Sequence, residues 1–297
     1  FEGVIAALDD FTPSANNLWQ FDIGYDPYGN GQNNLIAHPG QNLNDITSTV
    51  NTPVLYGPFT GTQLTPVGVF QASGTTTSGS PTVTFATTIA AIGPGVSVSG
   101  TGIPAGTTVL SAEETGGVWT ATLSANATAS GTVTLTFDNN ISVSGGCVML
   151  YPYLFVYGNY GLIKNCAAGD FNNWTSADAN ENSVASVKVV KGLPVRGGTT
   201  SPAGLFWTID SVIRVTYSPT TVGNQTLYWR YDFVTQQSSI LSSQCVIEYD
   251  GIFYWAGVDR FLMYNGVINE VENKQNFNYF FDRLNYVQRQ KEIGRAH

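Results

Sequence analysis

Apolar and polar residues alternate with a period of two along much of the chain. The pattern is plain in Val133-Thr134-Leu135-Thr136-Phe137 and in Val96-Ser97-Val98. It predicts half-buried β-strands, because successive side chains of a strand point to opposite faces of its sheet. From about Val69 to Phe137 such runs are short, Thr/Ser/Gly/Ala-rich and punctuated by the turn clusters SGSP, GTGIPAG and ETGG. Short alternating strands at that spacing predict a small β-sandwich.

Elsewhere the apolar runs are continuous and aromatic. Leu154-Phe155-Val156-Tyr157, Leu205-Phe206-Trp207-Thr208 and Ile252-Phe253-Tyr254-Trp255 each precede a Gly/Asp/Asn turn and a second apolar run. The second runs are Gly161-Leu162-Ile163, Val212-Ile213-Arg214-Val215 and Phe261-Leu262-Met263-Tyr264. The first runs start 51 and 47 residues apart. Several strands in a repeat of that length predict propeller blades, four-stranded sheets that stack because none buries both faces alone. ALDDFTPS (7–14) echoes AAGDFNNWTS (167–176) at a distance of two such periods once the sandwich is set aside. The expected fold is all-β: a partial β-propeller made by 1–68 and 138–291, with the sandwich inserted at 69–137. Outside the insert, 228 residues make a little under five periods, so the ring is expected to be incomplete.

Composition supports strands over helices. Charged residues are 11% of the 297 and aromatics 12%, against about 25% charged in an average domain. No apolar run is long enough to span a membrane as a helix. The opening FEGVIAALDDF has no basic stretch, cleavage-like site or initiator Met, so it reads as the interior of a longer chain. Charge is unevenly placed: nine acids and no Lys or Arg precede Lys164, and the net charge of −9 lies entirely there. No basic stripe is available to neutralise phosphates, which argues against a nucleic-acid grip.

Candidate chemistry thins out on inspection. The densest stretch, Glu248–Gly266, holds Asp250, Asp259, Arg260 and four aromatics. Asp250-Gly251 and Asn265-Gly266 are hairpin-turn dipeptides, and adjacent Asp259 and Arg260, if extended, would point to opposite faces and form no common site. Asp178-Ala-Asn180-Glu-Asn182 spaces oxygens as a calcium loop does, but Ser183 and Val189 stand where Gly and a bidentate Glu are needed. Arg196-Gly197-Gly198 with Gly192 reads as a flexible basic loop without a phosphate-binding pattern. His38 and His297 have no triad motif around them. Cys147, Cys166 and Cys245 read as buried small hydrophobes rather than ligands or nucleophiles. AAGDFNNW departs from the Ser-x-Asp-x-Gly-x-x-Trp turn of sialidase propellers at three positions. The residues point to no catalytic, cofactor or metal site, and hence to a protein that is not an enzyme.

The phrases GLIKNCAAGDFNNWTSADANENSVAS, KVVKGLPVRGGTTSPAGLFW, QSSILSSQCVIEYDGIFYWAGVDRFLMYNG and NYFFDRLNYVQRQK resemble tailed-bacteriophage virion proteins. The resemblance is to the propeller-based tail hub or nozzle kind, which includes packaged-DNA-stabilising proteins. It covers roughly 225 residues including LFVYGNYGLIKN and ALDDFTPS. VSGTGIPAGTT and LSANATASGTVTL resemble the Ig-like modules that phages insert into virion proteins. The resemblance implies a non-enzymatic tail component within the virion, assembled in the bacterial cytoplasm. It implies a homo-oligomeric ring with other tail proteins, transient contact with genomic DNA in the lumen, and weak host-glycan contact by 69–137. A glycan-binding adhesin and, behind it, a propeller glycan hydrolase are the alternative expectations. The closing EIGRAH matches a reading frame of a sequencing adapter, so 292–297 are read as an assembly artefact and the chain as a fragment.

Overall fold

The computed structural model describes residues 4–5, 19–40, 46–60, 63–195, 202–272 and 277–283. The echo at 7–14, Arg196–Gly198, His297 and the 292–297 tail lie outside them. The chain is all-β apart from one 3-10 turn and a short helix among these residues.

The first sheet is built from β1 (Val4–Ile5), β2 (Gln20–Asp26), β3 (Gln32–His38), β5 (Leu55–Pro58) and β6 (Gln63–Pro66). Strands β2, β3, β5 and β6 form an antiparallel meander, and β1 adds to it parallel to β6. Between β3 and β5 lies the short β4 (Thr52–Pro53). The insert holds β7 (Val69–Thr76), β8 (Thr82–Phe85), β9 (Ser97–Gly100), β10 (Val109–Thr115), β11 (Val118–Leu123) and β12 (Gly131–Asp138). After it, β13 (Ser142–Val143) pairs with β4.

Three more four-stranded meanders follow. They are β14 (Gly146–Leu150), β15 (Tyr153–Tyr157), β16 (Leu162–Asn165) and β17 (Asn180–Ser183); then β18 (Val189–Val195), β19 (Ala203–Thr208), β20 (Val212–Val222) and β21 (Gln225–Thr235); then β22 (Val246–Tyr249), β23 (Ile252–Ala256), β24 (Phe261–Tyr264) and β25 (Ile268–Glu270). Helix α1 (Phe277–Arg283) comes last. These four sheets are the blades of a partial β-propeller, numbered 1 to 4 in chain order. The first strands form its inner edge: β14 packs on both β2 and β18.

The continuous apolar runs are the second strands of blades 2 to 4, and their continuity has a physical cause. Blade 2 is covered on both faces, so both parities of β15 are buried. Leu154 and Val156 join the cluster shared with blade 1, which includes Ile36, Tyr56 and Met149. Tyr153, Phe155 and Tyr157 join the cluster shared with blade 3, which includes Phe206, Ile213 and Trp229. Leu205 and Trp207, on the opposite face of β19 from Phe206, meet Phe253 and Trp255 of blade 4. Edge-to-face rings recur at these seams, with Phe155 on Trp229 at 4.8 Å and 89° and Trp207 on Trp255 at 5.7 Å and 71°. Fully burying such a ring stabilises by roughly 1.5–3 kcal/mol, and an aromatic pair adds about 0.5–1.5 kcal/mol.

The inner edge is crowded, and glycine relieves it. A Cβ on Gly192 of β18 would lie 2.9 Å from both Phe206 and Val148. Gly192 is therefore a strand residue paired with Phe206, not part of a loop as its neighbours in the sequence suggested. Close approach of the inner strands, rather than flexibility, accounts for it.

The insert takes the form of one curled sheet, in the order β10-β11-β8-β7-β12-β9, rather than two stacked ones. Its edges meet at one corner through a Ser97–Thr108 bridge, with Val109 N–H donating to Val96 O at 2.8 Å. Val83, Phe85, Val98, Val109, Leu135 and Phe137 fill the concave side. The insert leaves and rejoins the propeller at one point, since Asn139 N–H donates to Gly68 O at 3.0 Å.

Candidate functional surfaces

The aromatic and acidic stretch 248–266 is a blade hairpin. Asp250 and Gly251 join β22 to β23 with φ of 52° and 78°, the doubly left-handed pair of a tight hairpin turn. The Glu248 carboxylate accepts the Gly251 N–H at 2.7 Å. At the other end Gly266 alone has positive φ, 110°, while Asn265 does not. Phe253 and Trp255 face blade 3; Tyr254 and Phe261 face away from it into a cavity.

Asp259 and Arg260 do interact, contrary to the expectation from their adjacency. Arg260 Nε and Nη2 each donate at 2.9 Å to the two oxygens of Asp259. The residues lie on a bend before β24 instead of in an extended run, so strand alternation does not separate their side chains. This pairing with the guanidinium holds the Asp259 carboxyl below its usual range. The pair is solvent-exposed, and exposed pairs contribute little to stability.

His38 is a structural staple. It is fully buried; Nδ1 accepts the Gly40 N–H at 3.0 Å, and Nε2 stands 3.1 Å from Val143 O and 2.9 Å from Thr52 Oγ1. That pattern requires the proton on Nε2. Burial depresses its pKa from 6.5 to about 4. The ring therefore ties blade 1 to the β4–β13 pair as a neutral group.

Cys147 and Cys166 are buried free thiols and Cys245 is half-buried. Burial raises the pKa of all three, which removes the thiolate that nucleophilic chemistry requires. Cys166 Sγ accepts the Leu154 N–H at 3.2 Å.

The oxygens of 178–182 alternate because Asn180–Ser183 is a strand. Asp178 turns back instead, with Oδ2 accepting the Ala168 N–H at 2.9 Å and its carbonyl accepting Asn165 Nδ2 at 2.9 Å. Among the described residues no three His, Cys, Asp or Glu stand together as metal ligands. AAGDFNNWTS, between β16 and β17, is stapled to itself. Asp170 Oδ1 accepts the Asn172 N–H at 3.0 Å, and Trp174 Nε1 donates to Phe171 O at 2.8 Å. Phe171 and Trp174 thereby enter the blade 1–2 core.

Asp26 is a buried carboxylate that no sequence motif singles out. Its residue is fully buried, Oδ1 accepts the Gly29 N–H at 3.0 Å, and Oδ2 has no hydrogen-bond partner among the described residues. Burial first and nearby Asp170 second raise its pKa from 3.8 to about 6. Asp22, also on β2, has a raised pKa through burial, and its Oδ2 accepts the Met149 N–H at 2.8 Å. The exposed acids of the first 163 residues that the structure describes include Glu113 and Glu114 on the insert.

Two concave regions stand out. One, of about 470 Å³, lies where the insert loop 88–91 meets blades 1 and 2 and is lined by Tyr28, Ile89, Asp170, Asn173 and Asp178. Its two carboxylates already accept backbone N–H groups. The other, of about 460 Å³, lies on the outward face of blade 4 against α1 and is lined by Cys245, Ile247, Tyr254, Phe261 and Phe280. No described helix is long and apolar enough to cross a membrane.

No protein-family model matches the chain, and no curated protein matches it either.

Proposed function

We propose that the chain is a non-enzymatic structural protein of a tailed-bacteriophage virion, a component of the tail hub or nozzle. It would form part of the genome exit channel or its closure. The observation that carries the reading is the blade stack itself: each shared face is filled by Phe, Tyr, Trp and aliphatic side chains. His38, Asp22, Asp170 and Asp178 are engaged in holding loops and strands together. Such a molecule offers shape and stacking surface rather than chemistry. The long phrases at 138–291 that resemble phage tail proteins support the choice of particle. Partners are further copies of the chain and neighbouring tail proteins, with passing contact to DNA.

Two acids of blade 1 do not present their charge to that channel. On the inner strand of blade 1, Asp22 holds the Met149 N–H and Asp26 is fully buried, both on the side of β2 that faces blade 2. The cleft between the insert and the blades favours a second reading, an adhesin that meets host-surface glycan there. Tyr28 is exposed at its rim beside Asp170 and Asn173, and an open ring beside polar groups suits a sugar face.

Mass spectrometry of purified virions that carry the gene tests the first reading. The chain is expected in the particle, in copy number matching a ring. Particles complete and infective without it would refute the reading, and saturable glycan binding lost with Tyr28→Ala would favour the second.

A further inference from the structure

The chain holds two Asn-Gly pairs, Asn30-Gly31 and Asn265-Gly266. In such a pair the backbone nitrogen of the glycine can attack the Asn side-chain carbonyl, because no side chain on the glycine hinders the approach. Both pairs lie in exposed connections between neighbouring strands, one joining β2 to β3 and the other β24 to β25. By sequence the two are equivalent. Their hydrogen bonds are not.

At Asn30-Gly31 both reacting groups are held. Gly31 N–H donates to Asp26 O at 2.7 Å. The Asn30 amide is paired with that of Asn34, its Nδ2 donating to Asn34 Oδ1 at 2.6 Å and its Oδ1 accepting from Asn34 Nδ2 at 3.1 Å. The same Oδ1 also accepts the Gln32 N–H at 3.0 Å. Asn34 is fully buried, and its Nδ2 is anchored a second time on Gln32 O at 2.9 Å. Attack requires the Gly31 nitrogen and the Asn30 amide to leave these partners together. At Asn265-Gly266 neither group is held. Both residues are exposed, and a Cβ on Gly266 would meet nothing within 4 Å. The bonds that close this connection run from Asn265 N–H and from Asn269 Nδ2 to Val267 O, both at 3.4 Å, long for N–H···O bonds. Neither involves the Asn265 side-chain amide or the Gly266 nitrogen, and no other described residue bonds to either group. At the related pair Asp250-Gly251 the nitrogen is engaged by Glu248, and a carboxylate is a far poorer electrophile than an amide.

We propose that Asn265 is a self-modification site, converting to aspartate and isoaspartate without an enzyme, while Asn30 is protected by its pairing with Asn34. The Gly266 nitrogen gives up its proton to solvent base and bonds to Asn265 Cγ. The Cγ–Nδ2 bond breaks and ammonia leaves, giving a five-membered succinimide. Water then opens the ring. Opening at one carbonyl gives aspartate, and opening at the other gives isoaspartate, whose main chain is one methylene longer. Either product adds a negative charge to the connection. The longer main chain falls between Tyr264 and Ile268, which are paired across the two strands, so it loosens β25. That strand is three residues long and pairs with β24 alone.

The site is independent of the role proposed above. The test ages the full 297-residue chain at mildly alkaline pH and physiological temperature. Peptide mapping by mass spectrometry then reads each site, with enzymatic methylation of isoaspartate to mark the isomer. Asn265 is expected to convert at the rate of a free peptide of residues 262–268. Asn30 should convert at least about tenfold more slowly, since more than one hydrogen bond must open first. In the urea-unfolded chain the two should convert alike. Hydrogen exchange of 268–270 should quicken in the aged chain and stay unchanged in aged Asn265→Gln, which alters only an exposed side chain. Equal conversion of the two sites in the folded chain, or an Asn265 that lags its free peptide by about tenfold, overturns the proposal. Unchanged exchange at β25 in the converted chain overturns the loosening.

Discussion

Removing the Phe155 ring probes the seam between blades 2 and 3 at its centre. Phe155 is fully buried and packs edge-on to Trp229 at 4.8 Å and near Phe206 at 5.9 Å. Phe155→Ala loses the transfer free energy of the ring and leaves a cavity, together about 3–5 kcal/mol. Trp229→Ala at the same seam should cost a similar amount. The double variant should cost less than the sum by about 0.5–1.5 kcal/mol, because the edge-to-face pair is lost only once. Phe253 lies at the next seam, on the opposite face of blade 3. Phe155→Ala with Phe253→Ala should therefore be additive within about 0.5 kcal/mol. Urea unfolding followed by near-ultraviolet circular dichroism reads these differences, with the insert deleted so that its separate core does not blur the transition. A single cost below about 1.5 kcal/mol would refute a closed seam. Additivity within the Phe155–Trp229 pair would refute the ring contact.

Three further outcomes follow from particular residues. His38 stays neutral in the fold down to about 4 whereas the unfolded chain protonates near 6.5; its contribution is thus complete above 6.5 and lost as pH falls toward 4. The loss is up to about 3 kcal/mol and should vanish from the melting-versus-pH profile of His38→Asn. Asp26 acts with the opposite sign: its folded pKa of about 6 exceeds the unfolded 3.8, so its ionisation lowers stability as pH rises through that window. Asp26→Asn should raise the melting temperature at pH about 7 and leave it nearly unchanged at pH about 4, and an unchanged profile would show the site to be open to water. Joining residue 68 to 139 should leave the blades folded, because Gly68 and Asn139 are already hydrogen-bonded; loss of the propeller's near-ultraviolet signal would refute that independence.

The stacking was legible because burial on both faces writes itself as an unbroken apolar run. Leu154–Tyr157 and Leu205–Thr208 have no polar parity to spare, and their spacing gave the blade period. Contacts between residues distant in the chain left no such trace. Nothing around His38 announces Val143, and nothing around Asp26 announces Asp170. Asp259–Arg260 failed for a local reason, since alternation was applied to a bend. The insert's curl was hidden because strand spacing gives the number of strands but not whether they divide into two sheets.

The inverted strand β2 shows how far alternation alone can be carried. QFDIGYD is an ordinary amphipathic strand by period, and period cannot say which parity meets the core. The hydrophobic rule assigns Phe21, Ile23 and Tyr25 to the inside. The structure instead places Gln20, Asp22 and Asp26 there, as side chains that hold backbone or loop groups of blades 1 and 2. Polar groups are stable in that position only because they are mostly hydrogen-bonded. That satisfaction frees the apolar parity of Phe21, Ile23 and Tyr25 to face outward, where it is left largely exposed.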